Sequence, residues 1–320
     1  ISISLTFDQN FKFLIPITII LIPAFLGIFY GLITLCFIIS KPKKIVSSFF
    51  SFSLFFGIFE FIRGSILTGF PWNLIAYSFS NHLEILSITS FIGTYGFNLF
   101  CISLFTSPAV FILRDSKKDI WVCIVFLMMP LLFYMHGSSY KETFNTSDVI
   151  SYNYKVRAIG SNISLDRFYS NIDPASAIND LIEISEPNKN EKTIFVWPEG
   201  ILPEISQKEL FEYKWLFEKS FNKNHLLLIG INNQTINKES INYFNSLSIY
   251  DHNLELLNFY NKVNLVPFGE FLPFENISKA FGLRSITNNY QSFSKGNKRE
   301  IMEINREGFS IKILPLICYE

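Results

Sequence analysis

The chain of 320 residues carries 27 Lys and Arg against 27 Asp and Glu, so its formal net charge is zero and nothing in it argues for a nucleic-acid partner. Hydrophobic residues make up 49% and charged residues only 17%, with a mean hydropathy of +0.28. That balance is poor in charge for a soluble domain and fits a membrane region joined to a soluble one. The apolar residues are concentrated before His136. Beyond it, polar and charged residues alternate with short apolar runs, so the chain divides near "MHGSSYKETFNTSD" into 1–136 and 137–320.

In the first part, residues 11–40, 45–67, 83–113 and 120–135 are predicted as spanning helices, because about 20 apolar residues cross a bilayer core. The second stretch contains Glu60 and Arg63, three apart and therefore on one helical face. Ionisable groups at that depth are costly, so the pair is expected to face protein or the membrane interface rather than lipid tails. Lys41, Lys43 and Lys44 join the first two stretches, and Arg114, Lys117 and Lys118 join the last two; the loop "TGFPWNLIAYSFSNH" between them has no Lys or Arg. The positive-inside rule places both basic loops in the cytoplasm and the second part of the chain outside. Cys36, Cys101 and Cys123 fall in the apolar stretches, where Cys serves as a small hydrophobe. Cys318 is left without an intramolecular disulfide partner beyond the membrane.

The second part reads as an α/β layer. Strands are predicted at "YKVRAIG", "TIFVW", "HLLLIGI", "YFNSLSIY" and "LELLNFY", with a "DHN" turn between the last two. A helix is predicted over 173–185, with Asp173 as N-cap and Pro174 in the first turn. A single amphipathic helix is predicted over 204–222. The closing strand, "FSIKILPLI", is weakened by Pro315.

Three of these strands end on chemistry: Glu199 in "TIFVWPEG", Lys262 in "NFYNKVNLVPFGEF" with Glu270 eight residues on, and Cys318 in "LPLICYE". A thiol is a poor nucleophile until it becomes a thiolate. A carboxylate can take its proton, and an ammonium can favour the thiolate and hold the oxyanion of an acyl-transfer intermediate, with the backbone N–H of Tyr319 as a second donor. Taken singly, Cys318 reads as a buried structural cysteine, Glu199 as a surface carboxylate and Lys262 as a solvated lysine; together they form an acyl-transfer set that needs no histidine. His82, His136, His225 and His252 lack metal-ligand spacing, and no phosphate-binding glycine loop is present, so no metal and no cofactor are expected.

The segments "WPEG", "YNKVNLVPFGEFLPF" and "ICYE" resemble the three catalytic motifs of the nitrilase superfamily, and within it those of the bacterial apolipoprotein N-acyltransferases. "FEFIRGSILTGFPWNLIAYSFS" is similar to that family's membrane segment and following loop, so the resemblance runs over essentially the whole chain. It implies a multi-span α-helical membrane domain followed by a periplasmic nitrilase-like αββα sandwich in the bacterial inner membrane. It implies acyl transfer from a phospholipid donor to the N-terminal amine of a diacylglyceryl-cysteine on a lipoprotein acceptor. Carried over by motif, Glu199 is the general base, Lys262 the oxyanion-stabilising cation and Cys318 the nucleophile, with Glu270, Tyr319 and Glu320 in support. Gly200 stands where the family more often has Thr, and Tyr169 matches a functional aromatic only loosely. The family also has earlier spans and, after "ICYE", the rest of its catalytic domain, so a chain truncated at both ends is expected. The alternatives are a membrane-tethered amidase or nitrilase with water as acceptor, and a non-catalytic membrane scaffold.

Overall fold

The computed structural model describes residues 15–66, 71, 73–147, 152–160, 173–203, 205–237, 240–267, 269–273, 292–306 and 308–320. They fall into two compact units, Ile1–Val149 and Ile150–Glu320.

The first unit is helical, and its four long helices are each apolar and long enough to cross a membrane: α1 (Ile15–Ser40), α2 (Ile45–Ser65), α4 (Thr89–Leu113) and α5 (Ile120–Thr146). This is a membrane protein. α4 is the helix most enclosed by protein, burying Phe97, Phe100, Cys101, Ile102 and Leu104. The other three leave large apolar side chains such as Ile20, Phe61 and Leu132 exposed, as lipid-facing surfaces require. Phe100 packs edge-on against Phe133 at 4.8 Å and joins α4 to α5.

Two boundaries differ from expectation. The third stretch does not run unbroken from Leu83: a one-turn helix, α3 (Leu83–Leu86), precedes α4. The fourth does not stop at Met135 but continues to Thr146. Hydropathy ends at Met135, but helix formation does not, because the polar residues that follow still have packing partners. A Cβ on Gly137 would lie 1.9 Å from the Glu84 carbonyl oxygen, so only glycine lets α5 lie against α3 there. Lys141 then pairs with Glu84 at 2.7 Å.

The expectation for Glu60 and Arg63 holds. Both are 2% exposed, with Arg63 Nη2 2.7 Å from Glu60 Oε2 and Nε 3.2 Å from Oε1. Tyr30 from α1 donates to the same carboxylate, and Arg63 donates to Asn73 at 2.6 Å.

The second unit is built on a five-stranded sheet in the order β1-β2-β3-β4-β5: β1 (Lys155–Ala158), β2 (Thr193–Trp197), β3 (His225–Asn237), β4 (Ser240–Tyr250) and β5 (Leu256–Asn261). β1, β2 and β3 are parallel because helical crossovers join them; β3, β4 and β5 form an antiparallel meander. The first crossover is α6 (Pro174–Ser185), capped by Asp173 accepting from Ser176 N at 3.2 Å. The second is not the single long helix predicted over 204–222. It is a 3-10 turn (Glu209–Tyr213) running into the short α7 (Lys214–Ser220).

Alternation along the strands sends side chains to two cores. Phe195, Trp197, Leu227 and Ile229 pack against Ile178 and Leu181 of α6 and Phe217 of α7. Ile194, Leu226, Leu228, Ile249 and Tyr260 face the other way, onto Met302, Ile304, Phe309 and Ile311. These four belong to a separate hairpin, β6 (Met302–Arg306) and β7 (Phe309–Ile313). The layers are therefore helix, mixed sheet and second sheet. β6 was not expected, and the closing strand ends at Ile313, before Pro315.

Candidate active site

Glu199 follows β2 in a turn set by Pro198 and Gly200, and Gly200 takes a φ of +64° that a side chain would resist. Neighbouring β3 comes so close that a Cβ on Gly230 would lie 2.6 Å from the Pro198 carbonyl oxygen and 2.7 Å from Glu199 Cα. The Glu199 turn thus rests directly on the backbone of β3. Its side chain is 36% exposed.

Lys262 leaves the end of β5 and is only 1% exposed. Its Nζ lies 3.3 Å from Glu199 Oε1 and 3.1 Å from Glu270 Oε1. Glu270, 5% exposed, is held in turn by Val266 N donating to Oε2 at 2.8 Å. Burial of the ammonium works against its charge, but Glu270, Glu199 and, last, the Cys318 sulfur act the other way and lift its pKa above the ordinary lysine value. Lys262 is therefore a retained cation at neutral pH.

Cys318 does not sit at a strand end. It lies five residues past β7, exposed, in a turn with φ +58°, a left-handed conformation that non-glycine residues rarely adopt. Tyr319 beside it places its ring 5.7 Å from Lys262 Nζ and donates from its hydroxyl to Leu265 O at 3.1 Å.

Glu320 joins these pieces. Its side chain is fully enclosed and accepts from Val263 N and Asn264 N at 2.9 Å each, Ile317 N at 3.2 Å and the Tyr260 hydroxyl at 3.0 Å, with Arg299 at 3.1 Å. Burial opposes its charge, but the N–H groups of Asn264 and Ile317, the Tyr260 hydroxyl and Val263 N outweigh it and hold the carboxyl below the usual range. One carboxylate thereby ties the two residues after Lys262 to the turn that carries Cys318.

The fold brings Glu199, Lys262 and Glu270 into direct contact and sets Cys318, Tyr319 and Glu320 beside them. Tyr169 lies outside the described residues. Sequence reasoning missed Asn245 on β4, whose Nδ2 donates to Glu199 Oε1 at 2.5 Å and to Glu270 Oε1 at 2.6 Å. The only signal for it was a polar residue within the apolar run "YFNSLSIY". It also missed Arg299, which lies in a stretch with no strand pattern. Among the described residues no cluster of three or more His, Cys, Asp or Glu could hold a metal ion.

Comparison with known proteins gives this geometry a context. The N-terminal domain of apolipoprotein N-acyltransferase matches residues 2–105. The apolipoprotein N-acyltransferase of Rhodopseudomonas palustris is 26% identical over 323 aligned residues, which cover 98% of this chain and 59% of that protein. That of Rhizobium leguminosarum bv. trifolii is 27% identical over 330, covering 99% and 60%. The chain thus spans about three fifths of the length of these relatives. Among solved structures, an amidase from Nesterenkonia sp. AN1 overlaps 51% of this chain and 52% of its own, at 13% identity and a TM-score of 0.24, too slight a likeness to carry an argument.

Proposed function

From this relationship to the apolipoprotein N-acyltransferases, we propose that the protein moves an acyl chain from a phospholipid to the N-terminal amine of a diacylglyceryl-cysteine on an apolipoprotein, through a thioester on Cys318. The observation that carries the reading is one buried ammonium, Lys262, shared by two carboxylates and felt by a single exposed thiol.

Glu199 is the general base. It takes the thiol proton as Cys318 Sγ attacks the ester carbonyl of the phospholipid. The carbonyl oxygen becomes an alkoxide, which the Lys262 ammonium stabilises. The intermediate collapses with cleavage of the ester C–O bond. The departing oxygen recovers the proton from Glu199, lysophospholipid leaves, and the acyl group stays on sulfur. The acceptor amine then attacks the thioester, Glu199 takes the amine proton, and the C–S bond breaks to release the amide; the departing thiolate recovers that proton from Glu199, which restores the thiol and the free base. Glu270 keeps Lys262 charged and placed. Glu320 and Tyr319 fix the Cys318 turn against the end of β5.

Both substrates carry lipid anchors, so the reaction belongs at a membrane, and the chain brings its own spans. The basic loops at Lys41–Lys44 and Arg114–Lys118 support a cytoplasmic-membrane enzyme with residues 137–320 in the periplasm. A cysteine placed at Ser138 should then react with an impermeant reagent from the periplasmic side; labelling only after membrane disruption counts against this orientation.

The test of the reaction is to incubate the protein with phospholipid and analyse the Cys318 peptide by mass spectrometry. An acyl adduct on that cysteine is expected, and labelled acyl chain should pass to a lipoprotein amine. Release of the label as free fatty acid alone would favour a hydrolase using water. Absence of any adduct on Cys318 would remove the nucleophile assignment.

A further inference from the structure

The side chain of Asn245 sits between two carboxylates that the reaction uses differently. Its Nδ2 reaches Glu199 Oε1 and Glu270 Oε1, both of which Lys262 Nζ also contacts, together with Glu270 Oε2 at 3.0 Å. An ionised carboxylate only accepts hydrogen bonds, so the amide nitrogen, with its two hydrogens, is the end that must face them; the amide oxygen in that place would repel both. The residue has little freedom. It is 7% exposed, lies within β4, and its backbone carbonyl accepts from Lys262 N at 2.9 Å. Strand pairing therefore registers Asn245 against the lysine itself.

The charge count explains why a neutral donor is needed. Two carboxylates and one ammonium leave a surplus negative charge, and like charges in a partly desolvated site repel strongly unless donors spread them. A second cation would neutralise the surplus but would also lower the basicity that Glu199 needs. A primary amide supplies two hydrogen bonds and no charge. Among the described residues, Glu199 Oε2 receives no donor, whereas Oε1 receives two.

We infer that Asn245 is a positioning residue: it pins Glu199 Oε1 and Glu270 Oε1 onto Lys262 and so leaves Glu199 Oε2 as the oxygen that takes the proton of the attacking thiol. This rests on the proposed reading of Glu199 as the base. Among the described residues, the titratable and charged groups facing the centre are Lys262 from the end of β5, Glu270 from the loop after it, and Cys318 from the turn after β7, with the Tyr319 ring beside the ammonium.

Alkylation of Cys318 by iodoacetamide, followed against pH in the detergent-solubilised protein and quantified on the Cys318 peptide, tests this without any lipid substrate. Asn245→Asp exchanges the donor for a third carboxylate around one ammonium. One of the three then retains a proton to higher pH, so the acid limb of the alkylation profile should move up by about one pH unit. Asn245→Ala removes the donors without adding charge and should slow alkylation about tenfold at neutral pH, without an upward shift of that size. A purely structural role would lower both rates uniformly and leave the acid limb in place; that result, or Asn245→Ala reacting like the wild type, overturns the inference. Glu199→Gln separates the two levels of the argument. If it abolishes reactivity on the acid side while Asn245→Asp shifts nothing, the positioning role alone fails. If it leaves the profile unchanged, the base assignment fails and the inference goes with it.

Discussion

Gly230→Ala tests the claim that Glu199, the proposed general base, is positioned by backbone contact. The new methyl group would lie 2.6 Å from Pro198 O, 2.7 Å from Glu199 Cα and 2.8 Å from Glu199 N, and ordinary van der Waals contact begins at 3.4 Å. All three neighbours are backbone atoms, so no side chain can rotate away. The Pro198–Glu199 turn has to retreat by about 0.8 Å, or β3 has to bend by as much. Overpacking of this kind costs about 1–3 kcal/mol. The functional effect should exceed the effect on stability, because the displaced residue is Glu199, held to Lys262 at 3.3 Å with little margin before that contact is lost. A misplacement near 1 Å costs about 10²-fold in rate. Thermal unfolding of the detergent-solubilised protein and the rate of Cys318 acylation read the two effects separately. A variant that acylates at near wild-type rate would refute the reasoning, whatever its melting temperature, since it would show that Glu199 need not be held against β3.

Three other perturbations have defined outcomes. Lys262→Ala leaves Glu270 buried without its cation; it should destabilise the fold by about 3–5 kcal/mol and slow acylation by about 10²–10³-fold, measured by denaturant unfolding and adduct formation. Glu320 has a carboxyl held below its ordinary value of 4.5, so its contribution to stability is whole above that pH and is lost as pH falls through the lowered value. Glu320→Gln should therefore be least stable relative to wild type at neutral pH, with the gap closing on acidification; a gap independent of pH would contradict this. In the helical unit, Arg63→Met alone strands the buried Glu60 carboxylate, so adding Glu60→Leu should recover part of the lost stability, and a thermal-shift double-mutant cycle reads the coupling.

What could be read from the sequence follows the range of the forces involved. The long helices of the first unit are set by hydropathy, a property of about 20 consecutive residues, so their existence was legible and only their ends were not. Thr146 was missed as a helix end because Gly137 against Glu84 and the Lys141–Glu84 pair are contacts with a residue more than 50 positions away. The strands around Glu199 and Lys262 were legible from their apolar runs and bounding turns. β6 was not, because "IMEINRE" alternates apolar and charged residues over too short a length to stand out. Residues 204–222 have a helical period, yet Glu209–Tyr213 wind as a 3-10 turn before α7, because the chain just before them is drawn onto β3, where Ser206 pairs with Asn232. In the site, groups with reactive side chains announced themselves. Asn245, Gly230 and Arg299 did not, since an amide, a missing Cβ and a surface arginine acquire meaning only when the sheet brings their partners to them.

The Cys318 turn shows how the fold holds the proposed nucleophile in an unfavourable conformation. A left-handed φ of +58° at a non-glycine residue costs of the order of 1 kcal/mol or more and persists only where the surroundings impose it. Here the imposing group is Glu320, whose carboxylate receives Ile317 N from one side of the turn and Val263 N and Asn264 N from the end of β5. The strain follows from the side chain's Cβ and not from its sulfur, which gives a test independent of chemistry. Cys318→Ala removes the thiol but keeps the strained Cβ; Cys318→Gly removes both. Cys318 is exposed, so neither change leaves a cavity. Glycine loses more backbone entropy on folding, about 0.5–1 kcal/mol, which sets a lower bar for the strain it relieves. The glycine variant should nonetheless match or exceed the alanine variant in stability, although glycine in place of alanine ordinarily destabilises. Both should be devoid of acyl adduct. If alanine proves the more stable by the ordinary margin, the turn is not strained, and the thiol is held by the Glu320 contacts without cost.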